Sequence, residues 1–262
     1  MRIYSKTLPP RDMTRGMTLI ELMISIDLGL LLVAVVIQIY VGSKSTYNKQ
    51  EDLSRLQENG RVAIDIVGRM ARVGGFKSNP AADYSTIFPA SARAITGTAG
   101  AAGSSDSLTI RFQGSGTGLG AADGSVVDCL GATYDSNVTI FNRLYIANNA
   151  TTNRPGVFCD TTNDSTVNGT EVVSEIENMR ILYGVDISGD GIVDYYVPAG
   201  LVPDFNQVAS LRIGLVAATP NLINPTLDTR TYNVLGITYD PVDDRRSRRL
   251  YSMTIALRMR TP

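Results

Sequence analysis

The sequence predicts an α+β fold in which a long N-terminal helix, membrane-length in its first half, packs on a mainly antiparallel β-sheet domain. Three observations predict it. An apolar segment, interrupted by one acid at Asp27, runs from Leu22 to Val41, about the ~20 residues a helix needs to cross the hydrocarbon core of a bilayer. Helical spacing then continues to about Gly74, with apolar or small residues at Leu53, Leu56, Gly60, Ala63, Ile64, Val67, Met70 and Ala71, one stripe of an amphipathic helix. After Ser107 the apolar period changes to two, the alternation of half-buried strands. A chain of 262 residues has room for one domain of moderate size plus such a helix.

Residues 1–16 are basic and hydrophilic. Arg2, Lys6, Arg11 and Arg15 stand against Asp12, a net of +3, which leaves −4 for the remainder. An ordinary secretory signal is cut after its apolar segment, whereas here Gly16 precedes that segment, so the helix is expected to stay in the mature chain. Positive charge before the span predicts a cytoplasmic start and an exported remainder. Nothing in this balance marks a nucleic-acid surface.

The helix is expected over 17–74, with its transmembrane part at 22–41. Glu51 with Arg55 and Asp65 with Arg69 add i, i+4 pairs. Gly74-Gly75 closes the helix, and Asn79-Pro80 stops it continuing far. Residues 75–107, rich in Ala, Ser, Gly and Thr, read as a connecting loop. The β domain then fills 108–262, with strands expected at Ser107–Phe112, Val138–Ile146, Glu175–Val185, Asp194–Val197, Val208–Val216 and Arg249–Leu257. Asn148–Thr170 reads as a long surface loop partly pinned by Cys159. Cys129 and Cys159 lie on the exported side. There a pair with no third thiol reads as a disulfide, the alternative being two separate buried thiols.

The run Gly16-Met17-Thr18-Leu19-Ile20-Glu21 resembles a type IV prepilin or pseudopilin cleavage site. Leu56-Gln57-Glu58-Asn59-Gly60-Arg61, Tyr183-Gly184-Val185-Asp186 with Gly189-Asp190-Gly191, and Thr254-Ile255-Ala256-Leu257-Arg258 resemble the minor pilin family PilW. The resemblance implies a pilin-like fold and a role in assembly. A prepilin peptidase would cut after Gly16 and methylate the amine of Met17. Glu21 would pair with the N-terminal amine of a neighbouring subunit in the filament core; snorkelling to the headgroups is its alternative. The implied partners are other minor pilins, the major pilin, the prepilin peptidase, the inner-membrane assembly platform, a tip adhesin, and membrane lipid before assembly. The implied function is priming a type IV pilus and incorporation near its tip, in adhesion, twitching motility or DNA uptake, with DNA not expected as a direct ligand. A minor pseudopilin of a type II secretion system and a membrane-anchored binding module that never assembles are the alternatives. Asp27 departs from the family pattern: six residues deeper than Glu21, it must be neutral or paired with a neighbouring subunit.

No resident cofactor is called for, calcium being the one candidate. Asp186, Ser188, Asp190, the carbonyl of Ile192 and Asp194 have the alternating oxygen spacing of a calcium loop. Val197 occupies the twelfth position, where a full loop needs Glu, and the same residues suit an Asp/Gly hairpin turn. Gly116-Thr-Gly118-Leu-Gly120-Ala121 mimics a dinucleotide fingerprint, but no helix follows, so a flexible loop is expected. Arg245-Arg246-Ser247-Arg248-Arg249 reads first as a solvated turn, second as a subunit contact and third as a DNA contact. The chain has no histidine, which removes the commonest general base and with it His-based triads and zinc sites. An enzyme is not expected.

Overall fold

The computed structural model describes residues 16–101, 103–163 and 168–257. Apart from Gly16, the leader expected at 1–16 lies outside them. Helix α1 spans Leu19–Val73 without interruption. It ends where Gly75 takes a left-handed conformation, φ 79°, and donates its amide to the Arg111 carbonyl at 2.9 Å, a C-terminal stop that glycine adopts without steric cost.

The chain divides into two units, residues 1–49 and 50–262. The described part of the first is the apolar start of α1, and all of its side chains are exposed. In the second, α1 buries Asp52, Leu56, Gly60, Ala63, Val67, Gly68, Met70 and Ala71. That is the expected stripe with two changes, one being that Gly68 is buried while Ile64 is only half-buried. Leu53 is 39% exposed and Asp52 is buried in its place, because both oxygens of the Asp52 carboxylate accept from the Asn221 amide, at 3.0 and 3.2 Å.

Residues 75–107 are more ordered than a connection. They hold a short helix α2, Tyr84–Ile87, and strand β1, Ile95–Thr98, with Ile95 fully buried. Next come β2 (Ser107–Gln113), β3 (Thr139–Asn148), β4 (Pro155–Asp160) and β5 (Thr170–Ser174). With β1 they form a five-stranded antiparallel sheet in chain order. β4 corrects the reading of 148–170 as one surface loop: it pairs with β3, and Val157 and Cys159 are fully buried.

The remaining strands are β6 (Ile176–Val185), β7 (Tyr195–Val197), β8 (Val208–Ala218), β9 (Tyr232–Val234), β10 (Ile237–Tyr239) and β11 (Arg248–Ala256). β9 and β10 make a hairpin, and the others form a four-stranded antiparallel sheet ordered β11-β8-β6-β7. The chain changes sheet at Glu175, where φ is 61°. A non-glycine residue is uncommon there, and Glu175 is held by Arg154 at 2.8 Å and Arg246 at 3.6 Å.

One apolar core joins the C-terminal part of α1 to both sheets. It includes Ala63, Val67, Ile110, Phe112, Leu144, Met179, Ile181, Leu211 and Ile213. β11 lies against the small residues of the helix: the Tyr251 ring occupies the space a side chain at Gly60 would need, and Met253 Cε would stand 3.0 Å from a Cβ at Gly68. Asp106 ties the sheets together. Its carboxylate accepts from Arg180 Nη1 at 2.9 Å, the Ile181 amide at 2.7 Å and the Gly100 amide at 2.8 Å.

Candidate functional site

The site begins at the Gly16–Met17 peptide. Gly16, Met17 and Thr18 are exposed and precede the helix, so this bond lies in non-helical chain, the form in which a protease cleft can take hold of backbone. Helix α1 opens with Thr18-Leu19-Ile20-Glu21. The Glu21 amide donates to Thr18 Oγ1 at 3.3 Å, while Glu21 Oε2 accepts from the Thr18 amide at 3.5 Å and from its hydroxyl at 3.4 Å. This reciprocal arrangement is a capping box. It satisfies two backbone donors that a helix start otherwise leaves open, and its Thr-x-x-Glu signature was legible in the sequence although only the Glu was singled out.

Downstream the helix is apolar on every face through Val41, with Asp27 the only charged residue between Glu21 and Lys44. Asp27 makes no hydrogen bond or ion pair among the described residues. α1 is the one helix among them long and apolar enough to cross a membrane.

In the second unit each remaining motif has an internal explanation. Cys129 and Cys159 form a disulfide with Cα atoms 6.3 Å apart, which pins the 114–138 excursion to β4. The Asp186–Asp194 loop is held by its own amides. Asp186 accepts from Gly189 N and Gly191 N, each at 2.7 Å, and from Ser188 Oγ at 3.1 Å. Asp190 accepts from Ile192 N at 2.8 Å and Asp194 from Ile187 N at 2.8 Å. Desolvation pushes the Asp186 carboxyl up, but the Gly191 and Gly189 amides with Ser188 outweigh it and hold the group below its ordinary value. Among the described residues no three acidic or thiol side chains are grouped to hold a metal ion.

The glycine-rich run is not loose. Gly118 N and Gly120 N donate to the Asp135 carboxylate at 2.9 and 2.7 Å. Oriented amides of this kind form anion cradles, and here a carboxylate of the chain fills the place a phosphate would take. The two amides lower the Asp135 carboxyl. Leu119 is left 90% exposed at the tip.

The reading of the basic run as a solvated turn is corrected in part: Arg245 and Arg249 are exposed, but Arg246 and Arg248 turn inward into an ion-pair cluster. The Arg248 side chain is 1% exposed; it meets Glu177 at 2.6 and 3.1 Å, Asp244 at 3.1 Å and Asp228 at 3.9 Å. Arg246 contacts Glu175 and Asp244 at 3.6 and 3.4 Å. Asp244 is local, but Glu175, Glu177 and Asp228 lie far off in sequence, so no local pattern announced them. A buried guanidinium is tolerable only when so paired, while Arg245 and Arg249 are exposed. A groove of about 740 Å³ runs beside α1 between Glu58 and Met70, with Val127–Gly131 and Met253 on its other side.

A sequence profile for the family described as Type IV Pilus-assembly protein W (PilW) matches residues 143–259. Among solved structures the chain is similar to a type IV-like pilin from Thermus thermophilus. The TM-score is 0.45 and the identity 12%, over 78% of this chain and 96% of that one. No curated protein gives a significant match.

Proposed function

We propose that this chain, whose β region matches the PilW family of type IV pilus-assembly proteins over residues 143–259, is a minor pilin that primes a type IV pilus and is incorporated near its tip. The observation that carries the reading is the order of parts at the N-terminus: a non-helical Gly16–Met17 bond, a capped helix start at Thr18 and Glu21, and a membrane-length apolar helix. Peptidase cleavage after Gly16 releases an amine at Met17, which methylation leaves cationic. The chain waits in the inner membrane with its β domain in the periplasm, an orientation that the basic residues before the span favour. It leaves lipid when α1 bundles with the helices of other pilins, and Glu21 then pairs with a neighbour's amine. That pairing offsets the cost of a carboxylate in an apolar bundle.

The β domain docks beside other minor pilins, and the role is structural, without catalysis. Buried carboxylates and guanidiniums such as Asp106–Arg180 and Glu177–Arg248 are paired in the core, which suits a scaffold.

A pseudopilin of a type II secretion filament shares every N-terminal feature. A deletion strain separates the two. Loss of surface pili with secretion intact is the expected result, whereas loss of secretion with normal piliation would transfer the chain to the secretion filament.

A further inference from the structure

Asp27 has no role in the assembly reading above, and its surroundings make it the least comfortable of the described side chains in the first unit. It stands inside the apolar segment Leu22–Val41, makes no hydrogen bond or ion pair among the described residues, and has no lysine or arginine near it, since none occurs between Met17 and Gly42. An ionisable side chain at such a depth marks a contact with another group, because lipid solvates it poorly. Glu21 does not share the difficulty. It sits at the helix edge and already accepts from Thr18.

Helix geometry separates the two acids. Six residues place Asp27 ~9 Å further along the axis and ~120° around it from Glu21. One neighbouring helix therefore cannot serve both. A second chain of this kind carries no cation in its own apolar segment, and Lys44 would need a shift of ~25 Å to reach position 27, so the nearest cation it can bring is its freed amino terminus at residue 17. Reaching Glu21 requires that neighbour to be displaced by about four residues, ~6 Å; reaching Asp27 requires about ten, ~15 Å.

We propose that Asp27 is a second subunit-pairing site, which receives the processed amino terminus of a different neighbouring pilin-type helix from the one that meets Glu21. The proposal rests on the assembly reading. It makes the chain a double acceptor, contacted by two helices at two heights and on two faces. A subunit with both acids is then suited to a position where two neighbours converge, and a pilin with Glu21 alone cannot replace it there.

The test treats native membranes and sheared filaments with a hydrophobic carbodiimide. The reagent activates a carboxyl, an amine in contact displaces it as a urea, and an amide bond remains. Mass spectrometry then finds the joined peptides. The expected product joins Asp27 to the amino-terminal residue of another chain, alongside a separate product at Glu21, and Asp27→Asn abolishes the first only. Asp27→Leu, still inserted, cleaved and disulfide-bonded, should fall at least tenfold in recovery with filaments, and Asp27→Glu should restore it. A Glu21 product without an Asp27 product overturns the proposal and leaves the assembly reading standing. Linkage of Asp27 to a lysine of another membrane helix, or unchanged recovery of Asp27→Leu, also overturns it. A chain that retains Met1 and yields neither product overturns the assembly reading itself.

Discussion

At Glu21 two functions use the same carboxylate. In the isolated chain it closes the capping box with Thr18, at 3.3 to 3.5 Å; in the proposed filament it also meets a cation. The two can be separated, because glutamine serves in a capping box as well as glutamate does but brings no charge. Glu21→Gln should insert normally and keep its helix start, yet reach filaments at least tenfold less than wild type. Equal recovery would mean that the charge is irrelevant. Asp228 gives a residue-scale prediction in the folded domain. Hydrogen bonds from Arg230, opposed by desolvation and aided by Tyr232, hold its carboxyl at about 2. A carboxyl of ordinary strength in the unfolded chain titrates near ~4. The stability it contributes is therefore complete above pH ~4 and lost as the pH falls towards 2, about 1–2 kcal/mol given that the Arg230 partner is solvent-screened. Thermal melts should show that loss in wild type and a flatter profile over the same window in Asp228→Asn.

Among the elements, the contact of α1 with β11 is the most exposed to a single change. Alanine is better than glycine inside an isolated helix by about 1 kcal/mol, so Gly60 is retained against local preference. The Tyr251 ring explains it, since a Cβ at position 60 would overlap the ring. Gly60→Ala should destabilise by a net of up to about 2 kcal/mol, the overpacking cost of about 1–3 kcal/mol being offset by the helix gain of about 1 kcal/mol. In a Tyr251→Ala background the same change should become stabilising, and a double-mutant cycle of melts checks the reversal. The Asp186–Asp194 loop is a second element-scale case. Its carboxylates already serve its own amides, so the melting temperature should not move with millimolar calcium and should drop on Asp186→Ala. A calcium-dependent rise would make the loop a metal site. Elements of this kind differ in how far they can be read from sequence. α1, β2, β3, β6, β8 and β11 were legible because periodicity is local. β1 and β4 were not, since Ile95 and Val157 are buried by partners distant in sequence. Arg248 was misread for a similar reason: its charge run is local, but Glu177 and Asp228 arrive only with the fold. At the helix start, Gly16, Met17 and Glu21 stand out as a motif, and the Thr18–Glu21 capping bond was legible there too as Thr-x-x-Glu.

For the whole molecule, the two units answer to different environments. The second buries its core within itself and adds a disulfide, which on a loop-entropy account contributes about 3–4 kcal/mol for a separation of 30 residues. The described residues of the first bury nothing on their own, and so apolar a helix needs lipid or other helices around it. A chain built this way can exchange one surrounding for the other without disturbing its folded domain, which is what transfer from membrane to filament requires. In the proposed role, cleavage after Gly16 is what starts that transfer. Mass spectrometry of the amino terminus, on protein taken from native membranes with an active prepilin peptidase, tests it most directly. The predicted result is a chain that begins at Met17 with a methylated amine; a chain that still begins at Met1 would contradict it.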